Sequence, residues 1–194
     1  MINIAVEGES DREAAKAVVR AAGQVVGKIR VAGGKTRLDP LIPKYNAASS
    51  REPWVVFRDS DSACPVALRS KLLAEEIDWR STFSLRIAHS MTEAWLLADR
   101  EMFASYFAVP IAKIPTDPEL VPHAKRTLLS LVATSSKSRD VRRDMVVGSD
   151  ETGPLFVSRI NEFAATMWRP AVAGESSESL SRAIARIAAL ESSI

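Results

Sequence analysis

The sequence predicts an α/β protein: a mostly parallel four-stranded sheet with helices on both faces, followed by a C-terminal helical annex. Three observations predict it. Trp54-Val55-Val56-Phe57 is an apolar run bounded by Pro53 and by Asp59 and Asp61, which is the pattern of a strand buried on both faces. Comparable short runs alternate with helical periodicities over residues 1–108, and a βαβαβαβα order implies right-handed crossovers and a doubly wound sheet. After Ala108 the character changes at Pro110, Pro115, Pro118 and Pro122, and only helical patterns follow. The expected organisation is an α/β domain over residues 1–108 and a helical extension over 109–194, packed on it as one compact unit.

Taken in order, Ile2 to Val6 is the first strand and Glu7-Gly8-Glu9-Ser10 the turn after it. Asp11 to Ala22 is helical, with Ala14, Ala15, Val18, Val19 and Ala22 on one face. Gln24 to Val31 is the second strand and stops at Gly33-Gly34. The basic segment from Lys35 to Lys44 contains a short helix. Pro53 to Asp59 is the third strand, Val66 to Ile77 a helix, and Phe83 to Ala88 the fourth strand. Thr92 to Phe107 is helical with one polar interruption at Asp99. In the annex, helices are expected over Ala124 to Ala133, Leu155 to Trp168 and Leu180 to Leu190, with no strand. Ser135 to Arg139 reads as a loop, inside a Ser, Lys and Arg-rich run that continues to Arg143 and reads equally as a solvated loop or a phosphate contact, and Ala173 to Ser177 reads as another loop.

Composition narrows the class. Hydrophobic residues at 46% and charged residues at 26% of 194 are globular values. The net charge of +2 neither requires nor excludes a polyanion. Met1 to Glu7 has no basic start and meets an acid early, unlike a secretory signal. No apolar run approaches the roughly 18 residues of a membrane span; the expected location is the cytoplasm. One cysteine, Cys64, and two histidines cannot build the usual zinc site, so a metal here must be held by oxygen. Gly33-Gly34-Lys35-Thr36 is not a phosphate-binding P-loop, because the required first glycine is replaced by Ile29.

Glu7, Asp11, Asp59, Asp61 and Glu93 all fall at or just beyond the carboxyl ends of predicted strands one, three and four, the rim where open α/β sheets bind ligands. Each also has a structural explanation. Ser10 to Glu13 and Ser90 to Glu93 have the S-x-x-E form of a capping box, and Asp61 can cap the helix near Pro65. A carboxylate at a helix start contributes only roughly 0.3–1 kcal/mol. Caps do not require crowding, however, and two carboxylates about 4 Å apart repel by roughly 4 kcal/mol at an effective dielectric near 20. A hard divalent cation removes that repulsion, and oxygen ligands are what Mg²⁺ takes. Arg58, Lys125, Arg142 and Arg143 are candidates for phosphate contacts, with Lys35 and Arg37 facing an anionic substrate.

Val6-Glu7-Gly8-Glu9-Ser10-Asp11 before a helix, and Val55-Val56-Phe57-Arg58-Asp59-Ser60-Asp61, resemble the Toprim fold of topoisomerases, primases, recombination-repair proteins and nucleases of the overcoming-lysogenization-defect family. That Rossmann-like fold carries a glutamate after its first strand and a D-x-D after its third. The resemblance implies Glu7 as general acid/base and metal neighbour, and Asp59 and Asp61 as ligands of one or two Mg²⁺ or Mn²⁺ ions. The whole chain is similar to a family of small bacterial Toprim-like proteins through Gly33-Gly34-Lys35-Thr36-Arg37-Leu38-Asp39, Arg58-Asp59-Ser60-Asp61, Thr92-Glu93-Ala94-Trp95-Leu96-Leu97-Ala98-Asp99, Asp117-Pro118-Glu119, Trp168-Arg169-Pro170 and Ser179-Leu180-Ser181-Arg182. This makes Glu93, with Asp11, a further metal ligand. Tyr45 and Tyr106 lack the setting of a topoisomerase tyrosine, so metal-dependent hydrolysis is favoured over strand passage.

The expected function is therefore Mg²⁺-dependent phosphodiester hydrolysis on DNA or RNA, conceivably in defence against mobile elements, with nucleic acid as partner and no membrane. The alternative is a non-catalytic module that binds a metal or nucleotide or docks a partner protein encoded nearby; oligomerisation is compatible with either. A nucleotide-sugar transferase also places D-x-D after a buried strand, but the short chain and the acid in the first turn count against it.

Overall fold

The computed structural model describes residues 1–61, 63–89 and 91–190. Four parallel strands, β1 (Ile2–Val6), β2 (Val26–Val31), β3 (Trp54–Asp59) and β4 (Phe83–Ala88), form one sheet in the order β2-β1-β3-β4. The fold class is as expected. β1 is buried along its whole length, and β3 is buried until its last residue, Asp59, which is why both read as largely apolar runs, interrupted by Asn3 and Arg58. β2 lies at an edge and exposes Lys28 and Arg30.

Strand alternation splits the core in two. Ile2, Ile4, Val6, Val55 and Phe57 point to one face, where they pack under α1 (Arg12–Ala21), α5 (Thr92–Ala98) and the annex helices. Ala5, Trp54, Val56, Phe83 and Leu85 point to the other, under Leu38 of α2 (Lys35–Leu38) and Ile42 of α3 (Ile42–Ala48). Phe57 meets Trp95 of α5 edge to face at 6.3 Å, a geometry worth about 0.5–1.5 kcal/mol beyond the buried area. On the second flank α4 (Pro65–Leu72) buries no residue and leaves Val66 75% exposed.

α6 (Arg100–Phe107) closes the first 108 residues, and the annex consists of α7 (Ala124–Ser135), α8 (Arg139–Met145), α9 (Phe156–Thr166), α10 (Pro170–Ala173) and α11 (Glu178–Ala188). Phe103, Phe107, Leu128, Phe163 and Leu180 join the same apolar cluster as β1 and α1. The extension thus completes the sheet's core.

Four expectations need correction. The helix over Thr92 to Phe107 is two helices: Asp99 leaves helical geometry (φ −84°, ψ 73°), and its side chain accepts from Met102 N to start α6. The helix after Pro65 ends at Leu72 rather than Ile77. Val146–Val147 (β5) and Glu151–Thr152 (β6) pair antiparallel, in a region where no strand was expected. The expected Ser135–Arg139 loop narrows to residues 136–138 between α7 and α8, and the basic run on to Arg143 is helical; Ser138 caps α8 by accepting from Val141 N. The Ser90 end of the second capping box, and Ser62 beyond the D-x-D, lie outside the described residues.

Candidate functional site

Sheet register assembles the rim. Ala5 pairs with Val56, and continuing that register sets Glu7 across from Arg58. By strand alternation Glu7 and Arg58 extend the row of Ala5 and Val56, whereas Asp59 extends the row of Val55 and Phe57 on the opposite face. Gly33 and Gly34, at φ +80° and +114°, bring two backbone N–H groups onto the Glu7 carbonyl at 3.0 and 2.9 Å. Positive φ of this kind is what glycine tolerates. The paired glycines hold the Glu7 backbone in place.

Arg58 is 5% exposed and serves as a cross-link within the chain. Its Nε donates to Asp39 Oδ1 at 2.9 Å, and Nη1 lies 3.3 Å from Glu7 Oε2 and 3.5 Å from Asp61 Oδ2. The expected role as a phosphate anchor finds this guanidinium already surrounded by carboxylates. Glu7 Oε2 is buried without a hydrogen bond despite that ion pair. Burial, then Asp61 and Asp11, push the Glu7 carboxyl above its ordinary value against the pull of Arg58.

The two acids of the D-x-D part company. Asp59 Oδ1 accepts from the backbone N–H of Thr92 at 2.9 Å and from its hydroxyl at 2.8 Å, and so sits at the start of α5. Asp61 takes a left-handed conformation (φ 53°) and pairs with Lys35 at 2.8 Å. Asp59 and Asp61 therefore do not form the shared pair that the sequence suggested. The residues gathered with Asp59 are Asp11, Glu93 and Glu7, whose charges, together with burial as the largest cause, raise its pKa well above the usual carboxylate range. Glu93, 4% exposed, is pushed up to about 7 by burial first and Asp11 second. Asp11, 8% exposed, is raised by burial although its Oδ2 accepts from Gly8 N at 2.8 Å.

The expected Ser10–Glu13 capping box is replaced by a tertiary contact. Glu13 N donates to Asn161 Oδ1 of α9 at 3.0 Å, and Asn161 Nδ2 donates to the Glu9 carbonyl at 2.9 Å. An acceptor brought by the annex does the work assigned to Ser10, and Asp11 turns back to the rim turn.

Lys125 of α7 is the basic candidate that reaches the acids: its charge lowers the pKa of both Asp11 and Glu93. Its ammonium lies 4.8 Å above the Phe156 ring. Lys35 is spent on Asp61 and remains half exposed, and Arg37 is exposed. Arg142 donates to the Ser136 carbonyl, while Arg143 pairs with Asp140 and Asp144; both contacts belong to the annex rather than to the acidic rim. A cleft of about 340 Å³ opens beside Met91 and Lys125, lined also by His123, Arg126, Asp150 and Thr152. Sequence reasoning missed this wall because it depends on the β5–β6 hairpin. The only local sign was Gly148-Ser149-Asp150 between Val-Val and Glu-Thr, a turn composition flanked by β-formers.

Among the described residues no three Asp, Glu, His or Cys side chains stand in metal-binding geometry. The chemistry of the donor set nevertheless fits a hard dication. Four carboxyl groups with raised pKa share one rim, the donors are all oxygen, and Glu7 Oε2 is a buried acceptor without a hydrogen bond. The quoted sequence stretches also interlock: Arg58 meets Asp39, Asp99 meets Arg169 at 2.7 Å, and Ser179 Oγ accepts from Trp95 Nε1 at 2.7 Å while donating to Glu119 at 2.6 Å. Compared with models of known protein families, with curated proteins and with solved structures, the chain finds no match.

Proposed function

We propose that the rim formed by Glu7, Asp11, Asp59 and Glu93 binds Mg²⁺ or Mn²⁺, as one ion or two, and hydrolyses phosphodiesters of DNA or RNA. The observation that carries this reading is the gathering of four carboxyl groups, from three separate stretches of chain, at a rim where burial raises the pKa of each and neighbouring carboxylates add to the rise at Glu7, Asp59 and Glu93. Outside a binding site such crowding only costs stability. The Toprim resemblance, read from the stretches that hold Glu7, Asp59 and Glu93, is compatible with this reading but rests on the same residues.

In this reading Asp59, Glu93 and Asp11 hold the metal, with Asp61 one step removed through Arg58 and Lys35. When bound, the metal supplies Lewis-acid polarisation of the phosphodiester and lowers the pKa of water. Glu7, partly exposed and raised in pKa, holds and releases a proton. Arg58 fixes the Glu7 carboxylate by its ion pair at 3.3 Å. Lys125 draws phosphate into the adjoining cleft. Asp59→Asn is expected to abolish Mg²⁺-dependent cleavage of DNA and RNA while the protein stays folded; undiminished cleavage by the purified variant would remove the mechanism.

One observation favours the second reading, a non-catalytic metal- or nucleotide-binding module or a docking module for another protein. Glu7 and Asp61 are both held by Arg58, which lowers the charge free to act on a substrate. Wild-type protein that binds Mg²⁺ by calorimetry yet cleaves nothing in a broad nucleic-acid panel would decide for it.

A further inference from the structure

A second charged region lies away from the acids, along β4, which is an edge strand of the sheet. Between α4, β4 and α11 run two clefts of about 380 and 480 Å³ that share Arg69 and Arg86. Arg182 lines the first and Arg186 the second, one helical turn apart on α11. The four guanidiniums thus line two adjoining clefts, with Arg69 and Arg86 common to both. Among the described residues no carboxylate pairs with Arg69, Arg86 or Arg186, and Arg182 pairs only with the exposed Glu178 of its own helix. Glu119, also on this wall, is taken up by Ser177 and Ser179 at 2.6 Å each.

Arg86 is the unusual member. Its Nε is buried without a hydrogen bond, and burial, with Arg69 and Arg186 beside it, brings its pKa down to about 10. A guanidinium placed half-buried among like charges is destabilising unless an anion joins it. The first cleft reaches His89, one residue past Ala88, and Ala88 pairs with Asp59 across the sheet. That end of the trough is one strand away from Asp59 of the carboxyl rim.

We infer that the α4–β4–α11 trough binds the phosphodiester backbone of a nucleic-acid strand and leads it to the acidic rim, an inference that deepens and rests on the hydrolytic reading above. Guanidiniums spread over two adjoining clefts can contact more than one phosphate of a strand, whereas a lone inorganic anion occupies a single point. Val66, Leu85, Ile87 and Ala183 give the first cleft an apolar lining beside its charges. That lining suits sugars and bases rather than inorganic phosphate.

The test is anisotropy of a fluorescent single-stranded oligonucleotide in EDTA, so that binding is read without cleavage. Arg69 and Arg186 are exposed, and Arg69→Gln/Arg186→Gln is expected to keep the wild-type melting curve. Removing two phosphate contacts should weaken binding roughly tenfold or more and reduce the slope of log K against log salt by about 1.4. The control Arg20→Gln/Arg51→Gln, at exposed positions elsewhere, should bind as wild type. Unchanged affinity and slope in the Arg69/Arg186 variant would overturn the inference. So would displacement of the oligonucleotide by inorganic pyrophosphate as effective as by unlabelled strand at equal phosphate. Wild-type protein that binds through these arginines but cleaves nothing with Mg²⁺ or Mn²⁺ would support the trough and sink the hydrolytic reading, so the two failures are told apart.

Discussion

Asp99 at the start of α6 and Asp144 in the annex, and Asp59 and Glu93 at the rim, are carboxyl groups withdrawn from water in opposite ways. Asp99, 1% exposed, receives the Arg169 fork at 2.7 and 3.0 Å and the Arg169 backbone N–H at 3.0 Å. Asp144 receives Arg159 at 2.7 and 3.1 Å and Arg143 at 3.2 Å, and the Arg159 hydrogen bonds hold it below the usual carboxylate range. Asp59 and Glu93 face other acids, and burial drives them upward. The first pair is matched by arginines that fix helices to one another. The second is mismatched, a strain that a retained proton or a bound cation relieves, which separates carboxylates fixed by ion pairs from carboxylates left without one.

The largest way to sharpen that contrast is catalytic. Asp59→Asn should lower Mg²⁺-dependent cleavage by roughly 10²–10⁴-fold or more, the scale of losing a group essential to acid–base or metal chemistry, and should leave the melting temperature equal or higher. Asp99→Ala should do the reverse: about 3 kcal/mol of stability lost in denaturant unfolding, because it breaks a buried pair and removes the first-turn acceptor of α6, with the metal affinity of the remaining folded protein unchanged. A loss of stability from Asp59→Asn as large as that from Asp99→Ala would erase the distinction.

The next effect depends on pH. Glu93 titrates at about 7 in the folded chain against an ordinary 4.5. The folded state therefore keeps a proton that the unfolded chain gives up. The associated stability is full below about 4.5 and is lost as pH rises through about 7, on the order of 3 kcal/mol. Melting temperature in EDTA should fall between pH 5 and pH 8, Glu93→Gln should flatten the fall, and Mn²⁺ should restore stability at pH 8 by binding only the folded state. The smallest effect concerns Lys125, whose charge lowers both Asp11 and Glu93. Lys125→Met should move the midpoint of that stability loss to higher pH, readable in the same melting series.

Much of this was legible in the residues. The buried strands announce themselves because β1 and β3 are apolar on both faces, and the rim acids are visible because they stop those runs. Glu93 was legible as a rim acid from its place beyond the fourth strand, and its E-A-W-L-L-A-D context set that reading against a plain helix cap. The split between Asp59 and Asp61 was hidden, since it depends on Asp61 entering the left-handed region and on Lys35 and Arg58 receiving it. Arg58 looked like a phosphate contact because strand alternation does not reveal that Asp39, from α2's far end, reaches the same face. The break at Asp99 was equally hidden: its partner Arg169 lies 70 residues away. The basic trough escaped notice because its arginines come from α4, β4 and α11, and nothing local links them.

The central claim is that the rim carboxyl groups are gathered for a hard cation, and the most direct test is anomalous diffraction from a crystal soaked in Mn²⁺ at pH 8. The account predicts a peak bounded by Asp59, Glu93 and Asp11 with Glu7 alongside, and no such peak in crystals of Asp59→Asn. Wild-type crystals with Mn²⁺ density elsewhere, or with none while these carboxyl groups keep their places, would contradict it.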